Sequence, residues 1–542
     1  MNTSPADQPP KPAGAPVPGA FAPFRHQVFA ILWTATVLGN MGTFVRDVAS
    51  QWIVSGLTPS PAAVGLIQAA GTLPIFLLAI PSGVLSDILD RRRFLIAVQI
   101  GLACVSFSLA TLASLSALSV SSLVLLTFLG GVGAALTMPA WQAVVPELVP
   151  RPDLKSAVAL NSLGINIARA LGPALGGFAL AMLGAAATYG IDVLTYFVVI
   201  GALLWWKRPA QKDDTLHERF HGALRAGLRY TIASREMHRL LWRAAVFFLF
   251  GSAVWALLPL VARRELAGGP GFYGVMLGSI GLGAIAGALL LPRLRARLGQ
   301  DRLVLAASLV TALCCMLLAL TGAKAVALAA TFVLGMAWIT VLVTLNATMQ
   351  SILPDWVRGR GLAVYLTVFN GAMAAGSLGW GLVGEASSVP VALLIAAAGL
   401  AVTALIVYRA ALPSGEDDLS PSSHWPEPSV VTAPSDDRGP VLITITYEIA
   451  PDDVADFVRA LTRLSSQRRR DGAYAWGVSE DPAAPGKVVE WFFVSSWAEH
   501  LRQHRRVSRA AADLQAEATV FHRGAVAPEV RHLIALDPSA ER

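Results

Sequence analysis

Twelve apolar blocks of roughly 20 residues or more punctuate this chain, and they constrain its fold more than any other feature. Each is long enough to cross a hydrocarbon core of roughly 30 Å as a helix. They run about Val28–Leu57, Ala62–Leu85, Phe94–Leu118, Ser122–Val145, Ser156–Leu183, Ala186–Trp206, Leu241–Val261, Phe272–Leu291, Leu303–Thr321, Val326–Gln350, Leu362–Val383 and Pro390–Tyr408. Only 14% of the 542 residues are charged, where a soluble chain carries roughly a quarter. The expectation is an all-α polytopic membrane protein of 12 transmembrane helices, with the lipid bilayer as its first partner. The net charge of +7 is not a nucleic-acid signal, because the basic residues are spread among short inter-block loops.

Those loops orient the chain. Twenty Lys and Arg fall in the loops of one side, among them Arg91–Arg93, Arg151, Lys155, Arg293–Arg302, Arg358 and Arg360. The opposite loops hold Arg263, Arg264 and Lys324. This asymmetry places both termini in the cytoplasm of a multi-pass plasma (inner) membrane protein. The two sets of six blocks look related: Pro146-Glu147-Leu148-Val149 before the fifth parallels Pro354-Asp355-Trp356-Val357 before the eleventh. Related halves build one site at their interface in many transporters.

The expected organisation is a disordered tail over 1–23, a six-helix half over 24–206, a connector over 207–240, a second half over 241–411, a Pro- and Ser-rich linker over 412–440 and a soluble domain over 441–536. An amphipathic surface helix is expected in the connector. In the soluble domain, strand Val441–Ile449, helix Asp452–Arg470, strands Tyr474–Glu480 and Lys487–Ser496, helix Ala498–Val520 and strand Val530–Leu536 give a βαββαβ order, that of a small α+β ferredoxin-like domain. Both alternating faces of Val489-Glu490-Trp491-Phe492-Phe493-Val494 are largely apolar, so one face needs a cover. Self-association or a bound apolar ligand would supply it. His500 and His504 stand four apart and can share a metal, but a solvated helix face is the reading preferred, so no metal site is expected. Cys104, Cys314 and Cys315 lie inside apolar blocks and read as small core hydrophobes. No nucleophile–base pair and no phosphate-cradling loop stands out, so no enzyme activity and no cofactor are expected.

Charges inside apolar blocks are functional candidates by default. Four qualify: Arg46 and Asp47 in the first block, Arg169 in the fifth and Asp192 in the sixth. One reading is an ion pair that locks helices together. The other is a carboxylate that takes up and releases a proton during transport, its affinity set by water access and a nearby Arg.

Two motifs resemble those of a known family. Between the second and third blocks, Gly83, Asp87, Arg91 and Arg92 match the loop signature of the major facilitator superfamily, while Ile88 and Asp90 depart from it. In the fifth block, Gly172-Pro173-Ala174-Leu175-Gly176-Gly177 resembles the Gly-Pro-x-x-Gly-Gly motif of drug–proton antiporters. The run Gly42-Thr43-Phe44 through Gln51-Trp52 is similar to the bacterial branch of enterobactin-type siderophore exporters and transmembrane secretion effectors. The tail domain is similar in pattern to antibiotic-biosynthesis monooxygenases. The resemblance implies proton-coupled efflux of a small organic solute (siderophore, drug or secondary metabolite) by alternating access, with the Asp87 loop gating against the residues around Arg358 and Arg360. It also implies a path lined by the first, fourth, seventh and tenth helices, where Asn40, Gln51, Trp52, Trp141, Gln142, Trp255, Trp338, Asn346 and Gln350 are the polar and aromatic candidates. Uptake by the same fold, or a membrane-anchored enzyme in residues 441–536, are the competing readings.

Overall fold

The computed structural model describes residues 19–207, 229–354, 356–413, 422, 425 and 438–536, apart from the side chains of Ile80, Val84, Ser86, Asp87, Ile88 and Arg505. Most of the tail, most of the connector with its expected amphipathic helix, and most of the linker lie outside that description. The chain divides into two compact units. The first comprises Met1–Lys212, Val246–Val341 and Phe369–Ile406; the second comprises Asp213–Ala245, Leu342–Val368 and Val407–Arg542.

Ten helices among the described residues are long and apolar enough to cross a membrane. In chain order they are α1 (Gln27–Leu57), α2 (Pro61–Ile88), α3 (Arg91–Ser114), α4 (Val120–Val144), α5 (Leu154–Trp205), α6 (Arg235–Leu260), α7 (Pro270–Leu320), α8 (Lys324–Ser351), α9 (Arg358–Ala386) and α10 (Val389–Tyr408). Two of them are double. At 1.5 Å per residue the 52-residue α5 would reach about 78 Å if straight, more than twice a hydrocarbon core. It turns instead at Gly184 (φ 77°, ψ 178°), and the 51-residue α7 turns likewise at Gly299 (φ 70°, ψ 166°). Open space surrounds both glycines, so it is the backbone angle and not packing that calls for glycine there.

Within the first unit, α1 packs along both arms of α5. Phe29 and Leu32 of α1, Trp141 and Val144 of α4, and Leu160 and Leu203 of α5 form one buried cluster. A 3-10 turn over Ala22–Arg25 buries Ala22 and Pro23 ahead of α1, so the end of the expected tail is ordered. The charged loop between α2 and α3 is shorter than expected: Gly83 and Asp87 belong to α2, and Asp90 caps α3 by accepting a bond from the Arg93 amide at 2.8 Å. Cys314 and Cys315 are buried, but Cys104 is exposed on α3 and so is not a core residue of the helices.

The second unit carries a four-stranded antiparallel sheet formed by β1 (Val441–Glu448), β2 (Ala475–Glu480), β3 (Lys487–Val494) and β4 (Glu529–Ile534), in the order β2-β3-β1-β4. Helix α11 (Val454–Asp471) follows β1 and buries Phe457, Leu461 and Leu464 at helical spacing. The helix expected over Ala498–Val520 is two helices, α12 (Trp497–Arg506) and α13 (Arg509–Thr519). The break falls at Ser508, whose Oγ accepts from the Ala511 amide and so begins a new helix.

Strand β3 is less apolar inside than its sequence suggests. Its buried face is Val488, Glu490, Phe492 and Val494, and Glu490 is fully enclosed. Arg468 answers it with Nε 3.0 Å from Oε1, while Trp476 Nε1 donates to the same oxygen at 3.0 Å. The opposite face presents Trp491 and Phe493, half-buried, beside an exposed Tyr474. Two residues of the linker pack on this domain: the Ser422 amide donates to the Val507 carbonyl, and Trp425 Nε1 donates to Gln515 Oε1.

Candidate functional site

The strongest polar constellation inside the helical unit is built on Arg46. Its side chain is buried on α1 and links two carboxylates of opposite environment. Nε and Nη2 donate to Asp47 Oδ1 at 3.2 and 3.0 Å, and Asp47 is 41% exposed. Nη1 lies 3.7 Å from Oδ2 of Asp192, which has no exposure, and donates to the Tyr196 hydroxyl at 3.1 Å. Ser106 of α3 donates to Asp192 Oδ2 at 2.6 Å, and Thr43 meets the Tyr196 hydroxyl at 3.2 Å. A buried carboxylate in an apolar bundle is costly unless paired and hydrogen-bonded, and here three helices converge to do both.

Backbone space decides the geometry. A Cβ on Gly42 would stand 2.1 Å from Thr195 Oγ1 and 2.7 Å from Asp192 Oδ1, so only glycine lets the second arm of α5 approach α1 there. A Cβ on Gly130 of α4 would lie 3.2 Å from Arg46 Nη2. Asp192 Oδ1 is buried without a hydrogen-bond partner among the described residues, which leaves room for one more donor on that carboxyl. Arg169 is not part of this cluster. It is exposed on the first arm of α5, in line with Ser162 and Asn166, with no ion-pair partner among the described residues.

The glycine motif of α5 faces two neighbours. Gly172 and Gly176 receive α1, their would-be Cβ atoms 2.7 Å from Phe44 Cβ and 2.9 Å from Val45 Cα. Gly177 receives α7, its would-be Cβ 2.4 Å from Gly274 Cα. Ala170, Ala174, Gly177 and Ala181 in fact meet Gly281, Gly278, Gly274 and Gly271 in antiparallel order, a seam of small residues that brings two backbones together. Pro173 is buried in the same stretch. Beyond this seam Tyr273 donates to Gln51 at 2.7 Å and stacks on Trp52, while Arg263 lies over Trp52 and donates to Ser55. Tyr273 stands at the start of α7 and Arg263 in the turn over Val261–Glu265 that follows α6, and both reach the last turns of α1.

Against this geometry, residues 18–540 match the family model described as a transmembrane secretion effector. The chain belongs to that family. Its members and relatives are transporters of the major facilitator type, not enzymes. The staphyloferrin A transporter of Staphylococcus aureus is 23% identical over 49% of this chain and 68% of its own length. Macrolide efflux protein A of Streptococcus pyogenes is 22% identical over 48% of this chain and 65% of its own, and the enterobactin exporter EntS of Salmonella typhi 27% over 49% and 63%. The chain thus spans about two thirds of the length of these relatives. In fold it is similar to a bacterial homologue of the lysosomal transporter Spinster (TM-score 0.56, 15% identity, 72% of this chain and 97% of that one) and to a variant of the nucleoside transporter NupG (0.60, 13%, 70% and 99%).

The other candidate residues fall into several settings. Arg91 Nη1 donates to Glu147 Oε1 at 2.6 Å, and Arg92 donates to the carbonyls of Leu203 and Leu204 at the end of α5. Gly83 lies half-buried on α2, and the Asp87 side chain is outside the description. Trp141 is buried and donates to Asn161; Gln142 is exposed and Asn40 half-buried. Trp255 and Trp338 pack edge to face in an aromatic group with Phe247 and Phe248, and Trp255 Nε1 is buried without an acceptor among the described residues. Gln350 donates to Asn346 within the second unit. Sequence reasoning missed Tyr196 and Ser106 and named Gly42 and Thr43 only within a run resembling a family branch, because uncharged residues in an apolar block carry no anomaly. It also missed the α7 half of the seam, although Gly271, Gly274, Gly278 and Gly281 repeat at helical spacing.

Proposed function

We propose that this chain is a secondary active transporter that exports a small organic solute, a siderophore, drug or secondary metabolite, in exchange for protons. The observation that carries the reading is the Arg46 cluster, where one guanidinium joins an exposed carboxylate to an enclosed one. A proton arriving at Asp47 would weaken its hold on Arg46 and let the guanidinium turn toward Asp192. The likeness to a macrolide efflux protein and an enterobactin exporter supports the outward direction. The arms at Gly184 and Gly299 support counting twelve spans in halves 24–206 and 241–411, both termini cytoplasmic in the plasma membrane. Closure of the α5–α7 seam would then be the inward-open state, with Asn40, Gln51, Trp255 and Trp338 lining the route and Asp87 gating its inner mouth.

Residues 441–536 form, in this reading, a ferredoxin-like domain similar to the monooxygenase-type α+β folds, used for regulation and for self-association through the Trp491–Phe493 face. The test is an untargeted comparison of extracellular metabolites from cells making the native chain or Asp47→Asn, with both proteins confirmed in the membrane. A compound exported by the native chain alone supports the proposal. Identical profiles, or depletion of a medium component by the native chain, count against export.

A further inference from the structure

The second unit holds a histidine cluster outside the charged residues proposed for transport. His500 and His504 lie one turn apart on α12, and His532 comes from β4. The strand register explains the meeting: Trp476, Phe492, Ile443 and His532 are cross-strand partners in one row, on the face that carries buried Phe492 and Ile443. His500 is buried, 1% exposed, and His504 and His532 are half-buried, so the face is not the solvated one its sequence suggested. One potential ligand atom from each ring can be chosen so that all three lie within 4.8 Å of one another. His500 Nε2 and His504 Nε2 are 3.1 Å apart, and the His500 and His532 ring centres are 4.6 Å apart.

We propose that His500, His504 and His532 form a binding site for a divalent first-row transition metal of the zinc class. Two imidazole nitrogens on one tetrahedral zinc stand about 3.4 Å apart, which the helical pair nearly meets before any ion arrives. Three neutral imidazoles suit zinc, copper, nickel or ferrous iron and not the hard cations calcium or magnesium. Binding through both Nε2 atoms moves the hydrogen between them to an Nδ1. His500 Nδ1 is buried without a hydrogen-bond partner among the described residues, and so are both amide atoms of Gln503, three residues on along α12, whose oxygen offers an outer acceptor. Trp497 and Trp425 wall the rings, at 5.5 Å from His500 and 5.0 Å from His504. The partial exposure of His504 and His532 leaves an entry path and a fourth position for water.

The competing account is an imidazole–imidazole hydrogen bond with no ion. Metal-stripped full-length protein in detergent is titrated with Co2+, followed by Zn2+. The expected result is the visible absorption of tetrahedral cobalt saturating at one equivalent per chain and erased by Zn2+. His504→Gln and His532→Gln, each checked for native near-UV circular dichroism, should weaken Co2+ binding tenfold or more. Zn2+ should also raise the unfolding midpoint of the native chain in a concentration-dependent way. Absence of a stoichiometric cobalt band in the native chain overturns the site, whatever the variants do. So does a band that both folded variants retain at unchanged affinity.

Discussion

Gly42 carries as much of the charge cluster as its charged members do, because its missing side chain lets Asp192 and Thr195 approach α1. Gly42→Ala should lower stability by about 1–3 kcal/mol through overpacking and abolish transport. Gly101→Ala, at a site on α3 with nothing within 4 Å, should leave both nearly unchanged. Thermal unfolding in detergent checks the first part, and the export assay the second. Asp471 in the tail domain makes a separate prediction. Burial raises its carboxyl to about 7 from 3.8, against the opposing pull of Arg470, Arg468 and Arg506. A raised acid binds its proton more tightly when folded, so its stability contribution is full below pH 4 and is lost as pH climbs toward 7. The native chain should therefore lose up to about 1.4 kcal/mol per pH unit in that window relative to Asp471→Asn. Unfolding midpoints of the two proteins at pH 4.5 and 7.5, read by tryptophan fluorescence, give the comparison.

Among the helices, the α5–α7 seam depends on a side chain being absent on both sides. Gly274→Val would place a branched side chain where the Gly177 backbone now lies, so the two helices should stand apart at that end. Cysteines introduced at Ala181 and Gly271, whose Cβ atoms would stand 3.6 Å apart across the seam, should cross-link readily in the native background and poorly with Gly274→Val. Unchanged cross-linking would mean that the seam does not hold this end shut. The same elements show what a sequence discloses. Arg46, Asp47 and Asp192 were legible because a charge in an apolar block is an anomaly that needs a partner. Tyr196 and Ser106 were not, since hydroxyls are ordinary in such blocks until a carboxylate is found beside them. His500 and His504 announced a shared helical face, but their burial depends on β4, whose register no local pattern encodes. The break at Ser508 was legible in principle, as a serine ahead of a helical run, yet the apolar spacing on both sides hid it.

At the scale of the molecule, the question is how the appended domain acts on the helices, and within the second unit the answer turns on Glu499. This carboxylate, 5% exposed, accepts from Arg229 at 2.8 Å, Arg506 at 2.9 Å and Arg502 at 2.9 Å. Arg229 precedes α6, and Arg506 lies 4.2 Å over the ring of Trp356, just ahead of α9. Arg470 adds a bond to Glu236 in the first turn of α6, and the Tyr230 hydroxyl donates to the Ile352 carbonyl. Within the second unit, the tail domain thus holds Arg229, Glu236 and Trp356 beside the starts of α6 and α9. Removing one partner of a buried ion pair costs about 3–5 kcal/mol, because the remaining charge is left unanswered. Glu499→Gln removes the carboxylate shared by half-buried Arg229 and buried Arg506, whereas Arg463→Gln breaks only an exposed pair with Glu517 and should cost under about 1 kcal/mol. Hydrogen–deuterium exchange of the full chain should accordingly quicken at residues 229–236 and 352–357 in Glu499→Gln and stay native in Arg463→Gln, with β1 and β3 protected in both. Exchange confined to α12 would show instead that Glu499 serves only its own domain, and would remove the tail as a restraint on the helices.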